Sequence, residues 1–280
     1  GNRAGSTRLT DVQALNFLGT PPPGPPAVFG ATPTQMTMEM HMLHFMYGWT
    51  DDVTLYIMPM WMSNTMDHER RDGSTFRTHN DGFADMPLGA VWRVYQGCTD
   101  ELILNLGMSV PTGDIDNRTA AGPEFPYPMR LGSGTFDFRP GMTYRSFYDW
   151  GTIGAQYQAD LPVGENDEGY SEGDDHRLNF WATKLIGWEQ RTALSFRVEN
   201  RWANQFNGFD EDLGAAPTTV STVRPEMRGG YWLNFGYGFI HKLPRGGRLN
   251  FEMTHPVYQD LNGVQLETDW QLFASWSKAF

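Results

Sequence analysis

The chain reads as an all-β transmembrane barrel, antiparallel and up-and-down, and three observations predict that class. Hydrophobic residues recur at a spacing of two along eleven segments, with no convincing helical period over ten residues or more. Short connections alternate with longer ones rich in Gly, Asp, Asn and Pro. The composition pairs 31 glycines, ten tryptophans and 14% aromatics with a negative mean hydropathy of -0.48. A water-soluble core rarely needs that many aromatics while staying this polar. A barrel wall does, because each strand is apolar on one face only.

The alternation is clearest over residues 101–110, where Leu102, Leu104, Leu106, Met108 and Val110 share a face against Ile103, Asn105, Gly107 and Ser109. Val53, Leu55, Ile57 and Trp61 form a second apolar face, against Thr54, Tyr56, Met58, Met60 and Met62. Ala84, Met86, Leu88, Ala90, Trp92 and Val94 form a third, against Asp85, Gly89 and Arg93. Further segments lie near 36–47, 134–144, 152–161, 176–186, 190–202, 230–240, 247–255 and 265–280. Connections near 48–52, 96–100, 145–150, 187–189 and 241–246 are short; those near 64–82, 111–132, 162–175, 203–229 and 256–264 are longer. Tight periplasmic turns and longer outside loops produce this rhythm, whereas Greek-key crossovers in a soluble sandwich would break it.

The end of the chain agrees. In "WQLFASWSKAF", Trp270, Leu272, Ala274, Trp276 and Phe280 share one face, and Lys278 sits near the rim, where it can snorkel. A last strand ending on an aromatic resembles the signal read by the outer-membrane insertion machinery, which makes that machinery an expected partner through Phe280. Counting back from a periplasmic end, residues 1–33, with the Pro-rich "GTPPPGPPAVFG", form an external segment and residues 34–280 the barrel. Single-chain bacterial barrels have even strand numbers. Eleven visible strands therefore predict about twelve, with the first upstream of Gly1 or in a weakly patterned stretch such as residues 9–17.

Charge and cysteine content narrow the function. The formal net charge is -12 and the pI about 4.9, with only Lys184, Lys242 and Lys278 as lysines. No basic stripe exists to neutralise phosphates, which excludes nucleic acid as a partner. The single cysteine, Cys98, rules out an internal disulfide framework. No stretch approaches the roughly 20 apolar residues of a spanning helix, and "GNRAGSTRLT" lacks the apolar core of a signal peptide. Catalysis finds no support: His255 near Asp260 and His79 near Asp81 are the only pairings that stand out, and neither has a nucleophile context.

Several stretches resemble the outer-membrane proteins related to the transporter found with meta-pathway phenol-degradation genes, a group similar to barrels that carry toluene and long-chain fatty acids. They are "GNRAGSTRL", "PTQMTMEMHML", "MDHERRDGSTFRT", "GFADMPLGAVWRVY", "LGMSVPTGDID", "YPMRLGSGTFDFRPGMTY" and "HPVYQDLNGVQLETDW". "GSGTFD" and "YQDLNG" are the more specific pieces. The resemblance implies a Gram-negative outer-membrane location, contact with lipid and lipopolysaccharide, and passive transport or binding of a small, hydrophobic solute. It also implies a strand before "GNRAG".

Nine of the fifteen methionines lie in "MTMEMHMLHFMYGWTDDVTLYIMPMWMSNTMDH", residues 36–68. If Leu55, Ile57 and Trp61 face lipid, Met58, Met60 and Met62 face the lumen. Glu39 and His41 suit lipid only near the rim, which puts Met38, Met40 and Met42 inside too, as a second row one strand away. Together these six form the expected lumen wall. Thioethers and imidazoles suit Cu(I) or Ag(I), so Met36, Met38, Met40, Met42, His44, Met58, Met60, Met62, Met66 and His68 are equally a candidate copper face. Flexible, polarizable Met also suits an adaptable apolar wall, or plain packing.

The opposite strands carry the polar interior: Asp85, Arg93, Asp137, Arg139, Arg197 and Glu199, with Asp137, Arg139, Arg197 and Glu199 expected to pair among themselves and, in one reading, to hold a salt-bridged plug. "ENDEGYSEGDDH", residues 165–176, offers carboxylates to Ca²⁺, but a solvated acidic loop explains it better. The loops and the 1–33 segment are candidate sites for protein partners, which leaves a structural barrel in an outer-membrane assembly as the third reading. "GSGT" at 132–135 predicts a bend or close backbone approach.

Overall fold

A computed structural model describes residues 1–17, 29–119, 122–187, 191–213 and 220–279. The Pro-rich run over 18–28 and the terminal Phe280 lie outside the described residues. In chain order the elements are β1 (Asn2–Gly5), β2 (Thr7–Leu9), α1 (Asp11–Leu15), β3 (Ala31–Met42), β4 (Phe45–Gly48), β5 (Val53–Ile57) and β6 (Met60–Arg70). Next come β7 (Thr75–Phe83), β8 (Met86–Gln96), β9 (Asp100–Val110), β10 (Phe136–Tyr148), β11 (Gly151–Val163) and β12 (Tyr170–Ser171). The chain continues with β13 (Asp175–Ile186), β14 (Thr192–Ala203), β15 (Asn207–Gly208), β16 (Gly230–Lys242), β17 (Gly247–Leu266) and β18 (Gln271–Lys278).

Every long strand pairs antiparallel with its chain neighbours, running from β18 through β17, β16, β14, β13, β11, β10, β9, β8 and β5 to β4. β3, β6 and β7 form a separate ladder, yet they continue β4, β5 and β8 across short breaks. Pro59 and Pro87, which lack an N–H, explain two of the breaks. The gaps are stitched by Leu43 N–H to Pro59 O at 3.0 Å, Met58 N–H to Pro87 O at 2.8 Å and Ala84 N–H to Met60 O at 2.9 Å. Counted this way the wall has the eleven strands read from the pattern, in an up-and-down order.

No ladder joins β3–β4 to β18 among the described residues. Both edges thus keep open backbone groups, and a spanning sheet in lipid has to satisfy such groups.

The outer face is apolar and exposed: Leu55, Ile57, Trp61, Leu106, Phe138, Phe180, Phe196 and Phe251 all point away from the lumen with substantial solvent exposure. An apolar surface this extensive is what lipid requires. The buried core lies at the long-loop end. Tyr127, Tyr170, Leu213 and Val223 pack together there, with Phe206 against them. Ala14, Phe29, Met227 and Val264 form a second cluster, and Met66, Phe125 and Met129 a third.

Three expectations need correction. The stretch 64–82, expected as a loop, is the upper part of one hairpin, β6 and β7, whose ladder runs to Glu69↔Thr75. Likewise 256–264 belongs to β17, which pairs with β16 as far as Leu261. These strand ends rise beyond the lipid band, where neither face has to be apolar, so alternation fades while the ladder continues. Ala84 leaves the face shared by Met86 to Val94: it is buried at the break before β8.

Residues 1–17, finally, are stitched into the barrel mouth. β1 pairs with β17 through Asn2↔Leu266 and Arg3↔Gln265. The buried Asn2 amide donates to Pro33 O at 2.7 Å and to Thr32 Oγ1 at 3.2 Å. Glu267 draws in Arg3 at 3.0 Å and Arg8 at 2.6 Å. The two arginines beside it hold the Glu267 carboxyl below its ordinary range against the opposing effect of burial.

Candidate functional site: a methionine wall under a loop plug

Strand pairing settles how the methionines stand. Met36 lies opposite Met66, Met40 opposite Met62 and Met42 opposite Met60, while Met38 opposes Asn64. Met46 lies opposite Tyr56. Directly opposed residues in an antiparallel pair share a face, with Cβ atoms about 5 Å apart, so the two rows form one surface. That surface looks inward. Met66 is buried against Phe125 and Met129 of the 111–135 connection, with Met36 packed on the same cluster. His44 meets Tyr56 edge-on at 5.8 Å. Alternation puts Met58, at the break, on the same side.

The ladder divides into two parts. At its long-loop end Met36, Asn64, Met66 and His68 lie under the plug. Asn64 donates to the Met62 sulfur at 3.3 Å, and His68 stacks on Phe76 at 4.5 Å. Toward the short-turn end the wall is bare. Met38, Met40, Met42 and Met46 are 49%, 49%, 45% and 58% exposed although they face the interior. As a copper face the ten residues cannot act together. His68 pairs across from Pro33, and His44 lies eleven residues farther along β3 and β4, a separation of about 35 Å at strand rise.

The plug is the connection between β9 and β10. Met129 is fully buried, Asn80 donates to its carbonyl at 2.8 Å, and Leu131 lies over Gly82, where a Cβ would meet it at 2.7 Å. Arg130 anchors it from within the loops. Its guanidinium is 2% exposed, pairs with the buried carboxylates of Asp210 and, at 3.3 Å, Glu124, and lies 5.3 Å and 5.1 Å from the Tyr127 and Tyr170 rings.

Burial raises the Glu124 carboxyl, helped by Asp210; burial also raises Glu168, helped by Asp116, and pushes the Tyr170 hydroxyl up to about 12. Carboxylate oxygens of Glu124, Glu168 and Asp210 lie within 4.8 Å of one another. Glu168 is the residue of the acidic 165–176 stretch that reaches this cluster. Arg130 and Arg118 already place positive charge there.

Across the lumen the polar residues take partners other than those expected. Arg139 pairs with Asp160 at 2.6 Å, Arg197 with Glu252, and Glu199 accepts from Asn234 at 2.8 Å. Arg93 reaches down to Asp52 in the short turn at 2.8 Å. Asp85 and Asp137 bind the plug itself, through Ser133 and Thr135. The mutual pairing of Asp137, Arg139, Arg197 and Glu199 is therefore replaced by cross-strand partners that sequence spacing could not show.

Sequence reasoning placed Tyr56 on the inward face but gave it no role. Its hydroxyl would lie 2.4 Å from a Cβ on Gly107 and 3.0 Å from one on Gly89, so it lies flat against two glycines on adjacent strands. The matched Gly89 and Gly107, one and two strands away from a tyrosine on an inward face, were the available signal. Beneath the plug the lumen is two-sided: thioethers with Tyr56 and His44 on one wall, ion pairs on the other.

Comparison with known proteins gives two findings. The model of the family described as "Putative MetA-pathway of phenol degradation" matches residues 23–255. Among solved structures, an outer-membrane channel from Pseudomonas putida F1 is similar, with a TM-score of 0.56 at 12% identity, covering 87% of this chain and 83% of that one. That likeness concerns the fold. Among curated proteins nothing matches the sequence.

Proposed function

We propose that this chain, which belongs to the family described as "Putative MetA-pathway of phenol degradation" and is similar in fold to an outer-membrane channel, is an outer-membrane conduit for a small apolar or weakly polar organic solute of the phenol kind. A transport barrel is the general role; the solute and its path are the finer part of the proposal. The observation that carries it is the bare lower methionine wall, with Met38, Met40, Met42 and Met46 exposed inside a barrel whose facing wall is charged. Thioether side chains adapt their shape to varied apolar ligands and contact aromatic rings favourably. The ion pairs opposite keep the lumen wet, so a phenol-like solute finds an apolar surface and a polar one together. Protein from the loops closes the long-loop end, and passage requires that the plug move.

The test is efflux of a fluorescent or ultraviolet-absorbing phenol from proteoliposomes. Triple replacement of Met38, Met40 and Met42 by Lys is expected to slow the phenol and to raise the conductance of small anions. A barrel that passes neither, with or without its plug, ends the proposal. The cross-strand pairs Met40–Met62 and Met42–Met60, with His44 beyond them, support one second reading: Cu(I) held on the same wall. Anaerobic Cu(I) titration decides it, since Leu at Met40, Met42, Met60 and Met62 has to abolish binding.

A further inference from the structure

The "GSGT" stretch brings two buried carboxylates onto one serine hydroxyl. Asp85 and Asp137 are 7% and 4% exposed. Asp85 accepts from Gly113 N–H at 2.9 Å, from Ser133 N–H at 2.7 Å and from Ser133 Oγ at 2.9 Å. Ser133 Oγ is also 3.2 Å from Asp137 Oδ2, and Thr135 Oγ1 donates to Asp137 Oδ1 at 2.6 Å. A hydroxyl has one proton to give. With that proton on Asp85, the nearer carboxylate, Asp137 Oδ2 would face the Ser133 oxygen lone pair to lone pair in a dry site. A proton on Asp137 removes the conflict, because Asp137 then donates to Ser133 and Ser133 to Asp85.

The surrounding charges favour that proton. The groups facing Asp137 are Asp85 from the segment before β8, Arg139 on its own strand and Asp160 from β11. Arg139 is engaged by Asp160 Oδ2, and Asp160 Oδ1 is buried without a partner. From the loops, Glu172 precedes β13; burial pushes its carboxyl up to about 7. Opposite it stands Arg228, which burial pulls down to about 10. Carboxylates outnumber cations here by four to two.

We propose that Asp137 carries the proton of a hydrogen-bond chain, Asp137 to Ser133 to Asp85, which clamps the 111–135 connection to the barrel wall, and that loss of this proton releases the plug. The clamp joins β8, β10 and the connection that buries Met129. The closed state therefore binds one more proton than the open one, so closure is favoured at low pH and weakens as pH rises. This rests on the conduit reading above.

Conductance in planar bilayers, from about pH 5 to about pH 9, tests the gating; infrared spectroscopy of the carboxylic-acid C=O band tests the proton. Wild-type open probability is expected to rise with pH. Asp137→Asn keeps a donor toward Ser133 and should open less than wild type at every pH, with a shallower pH response and without the band. Glu172→Gln should keep the Asp137 band and a rising but shallower pH response, because only the Asp137 proton is then lost on opening. Heat-modified gel mobility confirms that each variant folds. A flat wild-type response, an unchanged pH response in Asp137→Asn, or a band that survives that substitution overturns the proposal. If the band behaves as expected but no condition conducts, the conduit reading fails and the clamp stands.

Discussion

Met129→Ala is the most direct test that the 111–135 connection is a plug. Met129 is fully buried and packs with Phe125 of its own loop against Met66 of the wall, with Met36 alongside. The substitution removes three heavy atoms from a site whose near wall is a rigid hydrogen-bonded strand, which cannot collapse into the space. Truncations of this kind cost about 2–5 kcal/mol. At 1.4 kcal/mol per factor of ten, the docked-to-undocked ratio of the loop should fall between about 30-fold and several thousand-fold. The barrel ladders do not depend on Met129, so their heat resistance should hardly move. Single-channel recording should therefore show longer and more frequent openings, with Met129→Leu close to wild type because it refills the volume. A variant that conducts like wild type while its loop exchanges amide hydrogens faster would refute the plug, because an undocked loop would then make no difference to the path.

The remaining predictions bear on charge, backbone and pH. Arg130→Met leaves Asp210 and Glu124 buried without their main cation, a loss of about 3–5 kcal/mol for the loop cluster; trypsin should then cut sooner after Arg118. Gly89→Ala places a Cβ 2.5 Å from Leu106 O and should lower the temperature at which the gel band loses its folded mobility. Gly107→Ala meets the Tyr56 hydroxyl first, at 2.4 Å, so the ring swings into the lumen and conductance drops with little loss of stability. Glu124, Glu168 and Glu172 all titrate above their ordinary range, so the loop cluster binds extra protons when docked. Its stability is full below the unfolded carboxylate range and declines as pH rises toward about 7, the Glu172 value. Hydrogen exchange of the loops, corrected for intrinsic pH dependence, reads that slope, and Glu172→Gln should flatten it.

The lipid-facing half of this molecule was legible in the sequence because lipid imposes one rule on every outward side chain. Leu102, Leu104, Leu106 and Met108 could be read without knowing a single neighbour, and so could Leu55, Ile57 and Trp61. Above the membrane that rule lapses, which is why β6 and β7 look like a loop: "NTMDHERRDGSTFRTHND" is polar on both faces, yet its ladder is unbroken. Ion-pair partners were hidden for a different reason. Arg139 with Asp160 and Arg197 with Glu252 are contacts set by strand register, and alternation fixes the face of a residue but not what stands beside it.

The methionines combine both cases. Their inward direction followed from the outward residues between them, whereas their division into two kinds followed from the loop. Met36 and Met66 are packed by Phe125 and Met129, residues about sixty to ninety positions farther along the chain. Met38, Met40, Met42 and Met46 share that period and chemistry, but they lie beyond the reach of the plug and on the edge strand. A plug that releases Met129 would therefore uncover Met36 and Met66 and lengthen the bare wall from the short-turn end to the mouth. One row of side chains then serves as packing when the barrel is closed and as the path when it is open, which accounts for thioethers recurring in both halves.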